Sequence, residues 1–326
     1  MDVLVTISLP EHLLARIKVE HSVTCHGGDS PIPRRELESL IDGFDGILCT
    51  ITDRIDASLL EKATRLKVVA NYGVGYDNID VRACSAKGVL VTNTPDVLTD
   101  ATADLTMALV LSVARRVAEG DSIVREGKFR AWSPFGFLGT EVSGKTLGII
   151  GLGRIGKAVA ERANGFKMKV LYYKQSRLNS EEERAFKVSY AGMQELLKES
   201  DFVSLHVPLT QGTYHLMGAE QFSLMKRTSY LINTSRGPVV DEEALVHALE
   251  TGVIAGAGLD VYEKEPHVHS ELIRMKNVVL LPHLGSATIE TRTKMAERAV
   301  SNLLAALRNE RPKDCLNWEA VYGVSG

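Results

Sequence analysis

The chain has 326 residues, enough for two hydrophobic cores or one large α/β domain. Its 38 Lys and Arg against 41 Asp and Glu leave a net charge of −3, a balance that argues against nucleic acid and anionic membranes as partners. Cys25, Cys49, Cys84 and Cys315 are scattered without CxxC spacing, which speaks against a disulfide framework or a cysteine zinc site and fits a reducing cytoplasmic setting. The first residues, Met1 to Val5, have no basic region ahead of an apolar run and read as a strand rather than a signal peptide.

In chain order, strands are expected at Val3–Ser8, Ser22–Cys25, Gly46–Ile51, Lys67–Ala70 and Val89–Thr92, with helices near Glu11–Val19, Arg35–Asp42 and Ala57–Thr64. Strands alternating with amphipathic segments imply a parallel sheet covered on both faces, so this opening stretch reads as one doubly wound unit. A long helical pattern from Asp100 to Ala118 follows. Its apolar stretch Met107–Val113 is far shorter than the ~20 residues of a membrane span. Gly127–Thr140 is aromatic and without clear period, and reads as a loop or oligomer arm. A second alternating series has strands at Thr146–Ile150, Lys169–Tyr173, Phe202–His206, Tyr230–Asn233, Gly256–Val261 and Val278–Leu281. The last long helix, Ile289 to Arg308, follows Gly285-Ser286-Ala287-Thr288 and is placed to cross back to the first domain. The fold class is therefore α/β with two doubly wound parallel-sheet domains: 1–96 with 288–326, and 97–287, the latter carrying an arm around 119–145.

Gly151-Leu152-Gly153-Arg154-Ile155-Gly156 directly follows the apolar strand Leu147–Ile150 and opens a helix. In this strand–turn–helix setting each glycine has a purpose: a tight turn, close approach of a pyrophosphate to the backbone, and close helix–strand contact. After the next strand, where NAD enzymes carry Asp or Glu, the chain has Tyr173-Lys174-Gln175-Ser176-Arg177. An acid there would accept from the ribose 2′-hydroxyl and repel a 2′-phosphate. Its absence, with Lys174 and Arg177 as cationic donors and Ser176 as a hydroxyl, favours NADP(H). The alternative reading is that these are solvated loop charges and the cofactor is NAD(H).

Three ionisable residues follow strands of the second half: Arg236, Glu265 and His283. Ligands of open α/β sheets bind beyond the carboxyl ends of strands. Delivering hydride to the carbonyl carbon of a 2-oxo acid leaves negative charge on oxygen, which must gain a proton. Histidine suits that transfer. His283 is the proton donor in this reading, Glu265 the carboxylate that orients its ring and stabilises the protonated form, and Arg236 the planar cation for the substrate carboxylate and carbonyl. Each, taken alone, reads as well as a surface or structural residue. His267 and His269 form an HxH pair with no third ligand spaced to complete a site, so no metal is expected. Asp96, Asp100 and Asp104 read as helix-start charges.

These ordered strings resemble the D-isomer-specific 2-hydroxyacid dehydrogenase family over nearly the whole chain, and within it the glyoxylate and hydroxypyruvate reductases. The resemblance implies a Rossmann dinucleotide-binding domain and a flavodoxin-like substrate domain closed by the C-terminal helix, with a hinge near Pro95 and Ala287 and a homodimer built on the second domain. It implies that the loop Asn71-Tyr72-Gly73-Val74-Gly75-Tyr76-Asp77-Asn78-Ile79-Asp80 offers the amides of Val74 and Gly75 to the substrate carboxylate. Cofactor contacts carried over in the same way are Thr102, Arg154, Ile155, Val207, Pro208, Thr213, Thr234, Asp260, His283 and Gly285, with Asp260 near the nicotinamide amide. Ile51, and Trp132 or Leu138 from a partner's arm, would border the substrate pocket; ordinary packing explains them equally well. The function expected is reduction of glyoxylate or hydroxypyruvate to the D-2-hydroxy acid with NADPH preferred. Two alternatives stand beside it: an NAD(H)-dependent dehydrogenase of another 2-hydroxy acid, such as a phosphoglycerate-type enzyme, and a dinucleotide-sensing regulator resembling the C-terminal-binding corepressors.

Overall fold

Short apolar runs, most of them buried on both faces, assemble into two separate parallel sheets. They are seen in a computed structural model that describes residues 1–26 and 30–323. The chain divides into two units, Met1–Leu98 with Thr288–Gly326, and Thr99–Ala287.

The first unit contains β1 (Asp2–Val5), β2 (Ser22–Cys25), β3 (Gly46–Thr50), β4 (Val68–Tyr72) and β5 (Leu90–Thr92) in the order β2-β1-β3-β4-β5, all parallel. This is the flavodoxin-like order. Inner strands β1, β3 and β4 are buried, whereas β2, at the edge, is largely exposed. The helix Ile289–Leu307 lies across β3, β4 and β5 and closes this unit. It lies so near that a Cβ on Gly46 would be 3.1 Å from the side chain of Leu303.

The second unit contains β6 (Thr146–Ile150), β7 (Lys169–Tyr173), β8 (Val188–Tyr190), β9 (Phe202–Leu205), β10 (Tyr230–Asn233), β11 (Gly256–Leu259) and β12 (Val278–Leu280). Their order is β12-β11-β10-β9-β6-β7-β8, again all parallel, the Rossmann arrangement with one strand added beyond the sixth. The order reverses at β6, so the turn after β6 lies at the switch point of the sheet.

Several elements differ from the sequence reading, the helix Val81–Ala86 among them. The expected helix Asp100–Ala118 is Thr99–Ala114, and a second helix, Val117–Arg125, takes the place of the first part of the expected arm. The break is at Arg116, whose backbone is left-handed (φ 55°) while its side chain pairs with Glu119 at 2.9 Å and stands 4.1 Å from the Phe137 ring centroid. Val117–Arg125 buries no residue, so its apolar spacing answers to no core among the described residues. The short edge strand β8 carries too few residues for its pattern to stand out.

Candidate active site

Because every strand of the second sheet is parallel, the segments that follow their carboxyl ends lie along one edge. The Gly151–Gly156 turn follows β6, Tyr173–Arg177 closes β7, and Val207-Pro208 follows β9. Thr234–Arg236 follows β10, Asp260–Glu265 follows β11, and Leu281–Gly285 follows β12.

The three glycines of the first turn meet different surroundings. Gly151 has φ +96°, and a Cβ there would lie 2.6 Å from the His206 carbonyl oxygen. At Gly156 a Cβ would overlap the carbonyl oxygen of Gly151, so helix and turn touch through backbone alone. At Gly153, the N-cap of helix Arg154–Gly165, a Cβ would meet nothing within 4 Å, and no side chain caps the helix. An open approach to uncapped helix amides is what a diphosphate requires, so these residues fit a dinucleotide. Ile155 lies half-buried in the first turn of that helix, beside Arg154.

Beyond β7, Lys174 is half-buried and Gln175, Ser176 and Arg177 are exposed. Sequence reasoning missed what Arg177 does here. Its guanidinium donates to both carboxylate oxygens of Glu183, at 2.8 and 3.0 Å, and Tyr172 Oη donates to the same carboxylate at 2.7 Å. The bonds from Arg177 and Tyr172 hold Glu183 down at about 2. The remaining expected cofactor residues have structural ties of their own. Thr213 Oγ1 donates to the Pro208 carbonyl at 2.6 Å, shaping the turn after Val207. Thr234 Oγ1 lies 2.9 Å from Thr106 Oγ1, and Thr102 Oγ1 donates to the Gly285 carbonyl at 3.1 Å.

Glu265 and His283, 18 positions apart in sequence, meet: His283 Nδ1 is 2.9 Å from Glu265 Oε2, and both side chains are about two-thirds buried. Burial pushes the Glu265 carboxyl up. The bond and charge of His283, the Tyr262 amide and the charge of Arg236 outweigh this and hold it below its ordinary value. Arg236 is presented by a turn organised by Asn233, whose amide donates to the Arg236 carbonyl at 2.9 Å and whose oxygen accepts from the Ser235 amide at 3.0 Å.

The turn bearing His283 is clamped by Asp260. Its backbone carbonyl accepts from the His283 amide at 2.9 Å, while Oδ1 and Oδ2 accept from the amides of Leu284 (2.6 Å) and Gly285 (2.8 Å). His283 itself is left-handed, with φ 55°, a conformation a non-glycine residue keeps only when its surroundings enforce it. Burial raises the Asp260 carboxyl above its usual range against the pull of those amides and of His283. The resemblance gives Asp260 a cofactor contact; in the fold both its oxygens already serve the His283 turn.

In the first unit, the Gly73–Gly75 turn is held by side chains that sequence reading did not single out. Asn71 Nδ2 donates to the carbonyls of Gly73 (3.3 Å) and Gly75 (2.8 Å), and Asn93 Nδ2 to that of Val74 (2.8 Å). With the carbonyls tied, the amides of Val74 and Gly75 have no acceptor within their own unit among the described residues. Ile51 packs against this turn: a Cβ on Gly73 would lie 2.8 Å from its Cγ2. Of the HxH pair, His269 caps helix Ser270–Arg274, accepting from the Glu271 amide, and its other nitrogen is 3.2 Å from Glu243. Trp132 and Leu138 are exposed.

Comparison with known proteins agrees with this architecture. A glyoxylate reductase of Pyrococcus horikoshii is 49% identical over 323 residues, 98% of this chain and 96% of that protein. A solved structure from Thermus thermophilus superposes with a TM-score of 0.91 at 46% identity, covering 97% of this chain and all (100%) of that one. An NADPH-dependent glyoxylate/hydroxypyruvate reductase from Sinorhizobium meliloti, solved with NADP and malonate, gives a TM-score of 0.85 at 32% identity over 97% of this chain and 96% of its own. The family model for the D-isomer specific 2-hydroxyacid dehydrogenase, NAD binding domain, matches residues 107–285. With Gly151–Gly156 at the switch point of a Rossmann sheet inside the matched region, the chain belongs to the D-isomer-specific 2-hydroxyacid dehydrogenase family.

Proposed function

We propose that this enzyme reduces glyoxylate and hydroxypyruvate to their 2-hydroxy acids, of D configuration where the carbon is stereogenic, with NADPH preferred over NADH. The observation that carries the reading is the 2.9 Å contact between His283 and Glu265 on the sheet edge that also bears Arg236 and the Gly151–Gly156 cradle. A bound nicotinamide dinucleotide supplies the hydride. His283 holds a proton at Nε2 and gives it to the substrate oxygen as the carbonyl becomes a hydroxyl, while Nδ1–H stays bonded to Glu265 and fixes the ring. Arg236 orients the substrate's carboxylate and carbonyl. The amides of Val74 and Gly75 are donors to the carboxylate.

Lys174, Ser176 and Arg177 are the proposed contacts to a 2′-phosphate, supported by the lack of an acid at the end of β7. The exposed aromatic segment of Phe129, Trp132 and Phe135 supports a homodimer arm. Initial rates of NADPH and of NADH oxidation with glyoxylate, hydroxypyruvate, pyruvate and 3-phosphohydroxypyruvate test the reading. Fast NADPH-linked turnover of the first two is expected. Activity with NADH alone overturns the cofactor preference, and tight cofactor binding without turnover overturns the enzyme.

A further inference from the structure

One residue outside the catalytic set touches all three of its segments, two through its backbone and one through its side chain. Tyr262 lies at the exit of β11 and is 6% exposed. Its amide donates to Glu265 Oε1 at 3.1 Å, fixing the carboxylate oxygen not used by His283. Its phenol donates to the Leu281 carbonyl at 2.8 Å, two residues before His283. Its own carbonyl lies so near Gly237 that a Cβ there would overlap it, which couples it to the residue directly after Arg236. The loop bearing Tyr262 is anchored on its far side by a reciprocal pair: the Glu263 amide donates to Glu242 Oε1 at 2.6 Å and the Glu242 amide to Glu263 Oε2 at 3.2 Å.

Resting on the role proposed for His283, we infer that Tyr262 is the positioning residue of this site: its phenol sets the approach of His283 to Glu265 and so the firmness with which the imidazole keeps its proton. The bond to Leu281 spans the two strand exits that deliver the pair, β11 for Glu265 and β12 for His283. The bond is part-buried, on a tyrosine that is itself buried, so water replaces it poorly when it is lost. The charged groups around the imidazole are Glu265, in direct contact, and Asp260, which grips the next two amides; Arg236 acts on Glu265.

Tyr262→Phe keeps the ring and its packing and removes only that bond. In the full-length enzyme we expect kcat for glyoxylate reduction to fall about ten-fold, since small misplacements of a catalytic group carry large rate effects. We also expect the pH above which reduction declines to move lower, while cofactor affinity changes by less than about two-fold. A merely structural tyrosine would lower Tm without moving the pH profile. Glu242→Gln, which loosens the loop from its other side, gives a second reading and should move the profile in the same direction by less. Unchanged kcat and pH profile in Tyr262→Phe overturn the inference if His283→Ala is inactive. If His283→Ala itself keeps wild-type turnover, the role of His283 has failed instead.

Discussion

Two glycine turns in this chain expose backbone amides, and they do so by different means. Gly151–Gly156 relies on local structure: a strand, a left-handed turn and a twelve-residue helix whose first amides are uncapped. Gly73–Gly75 relies on side-chain amides: Asn71 on β4, two and four residues away, and Asn93 beyond β5 seize its carbonyls, and the N–H groups of Val74 and Gly75 are left without an acceptor in the unit among the described residues. The first turn therefore tolerates no added bulk where backbone meets backbone, whereas the second depends on its amide props.

The largest effect should come from within the first turn. Gly156→Ala drives a Cβ into the Gly151 carbonyl and should cost about 2 kcal/mol even after the better helix propensity of alanine is counted. Gly153→Ala meets no protein atom and should change stability by less than about 1 kcal/mol while weakening dinucleotide binding at least ten-fold, as followed by thermal unfolding and fluorescence titration. Equal loss of stability in both would erase the distinction between a folding glycine and a binding glycine.

The props of the other turn come next. Asn93→Ala removes the bond to the Val74 carbonyl and should raise KM for glyoxylate about ten-fold, with cofactor affinity unaltered. A parallel weakening of cofactor binding would show that the side chain supports the fold at large rather than this turn.

Glu265→Gln tests the electrostatics of the proposed catalytic pair. Its carboxyl is held below the ordinary value, so the stability this confers is fully present above the usual carboxylate range and is lost as pH falls through the lowered value. In the variant the acid side of the Tm–pH curve should flatten, and reduction should decline at lower pH because the imidazolium has lost its partner. An unmoved rate profile would mean that the carboxylate orients the ring without influencing its proton. The smallest effect is expected at Glu183→Gln. Weakening its grip on Arg177 should raise the ratio of NADPH to NADH kcat/KM by no more than about three-fold, because the Arg177 end of the pair is solvent-exposed. A fall in that ratio would show that Glu183 presents the guanidinium to the cofactor instead of occupying it.

The same contrast explains what was legible in the sequence. Gly151, Gly153 and Gly156 are readable because their spacing falls in a local strand–turn–helix pattern, and the two sheets because alternating apolar runs record burial directly. The break at Arg116 left little trace, since a left-handed residue between two helices is fixed by contacts with Glu119 and Phe137 and not by a glycine or proline. Asn93 and Tyr262 carry no local signal because each acts on backbone brought close by the sheet, whereas Asn71 acts on carbonyls two and four residues on. Lys174–Arg177 shows the opposite limit. The absence of an acid after β7 is plain in the sequence, but the engagement of Arg177 by Glu183 needs the helix Ser180–Phe186 in place.

The most direct test is single-turnover reduction of glyoxylate by enzyme preloaded with NADPH, comparing the wild type with His283→Ala at matched cofactor occupancy. The account predicts a loss of at least a hundred-fold in the rate of reduction, with cofactor affinity retained, because the variant lacks the acid and keeps the Gly151–Gly156 cradle. Reduction at the wild-type rate in the variant would contradict it.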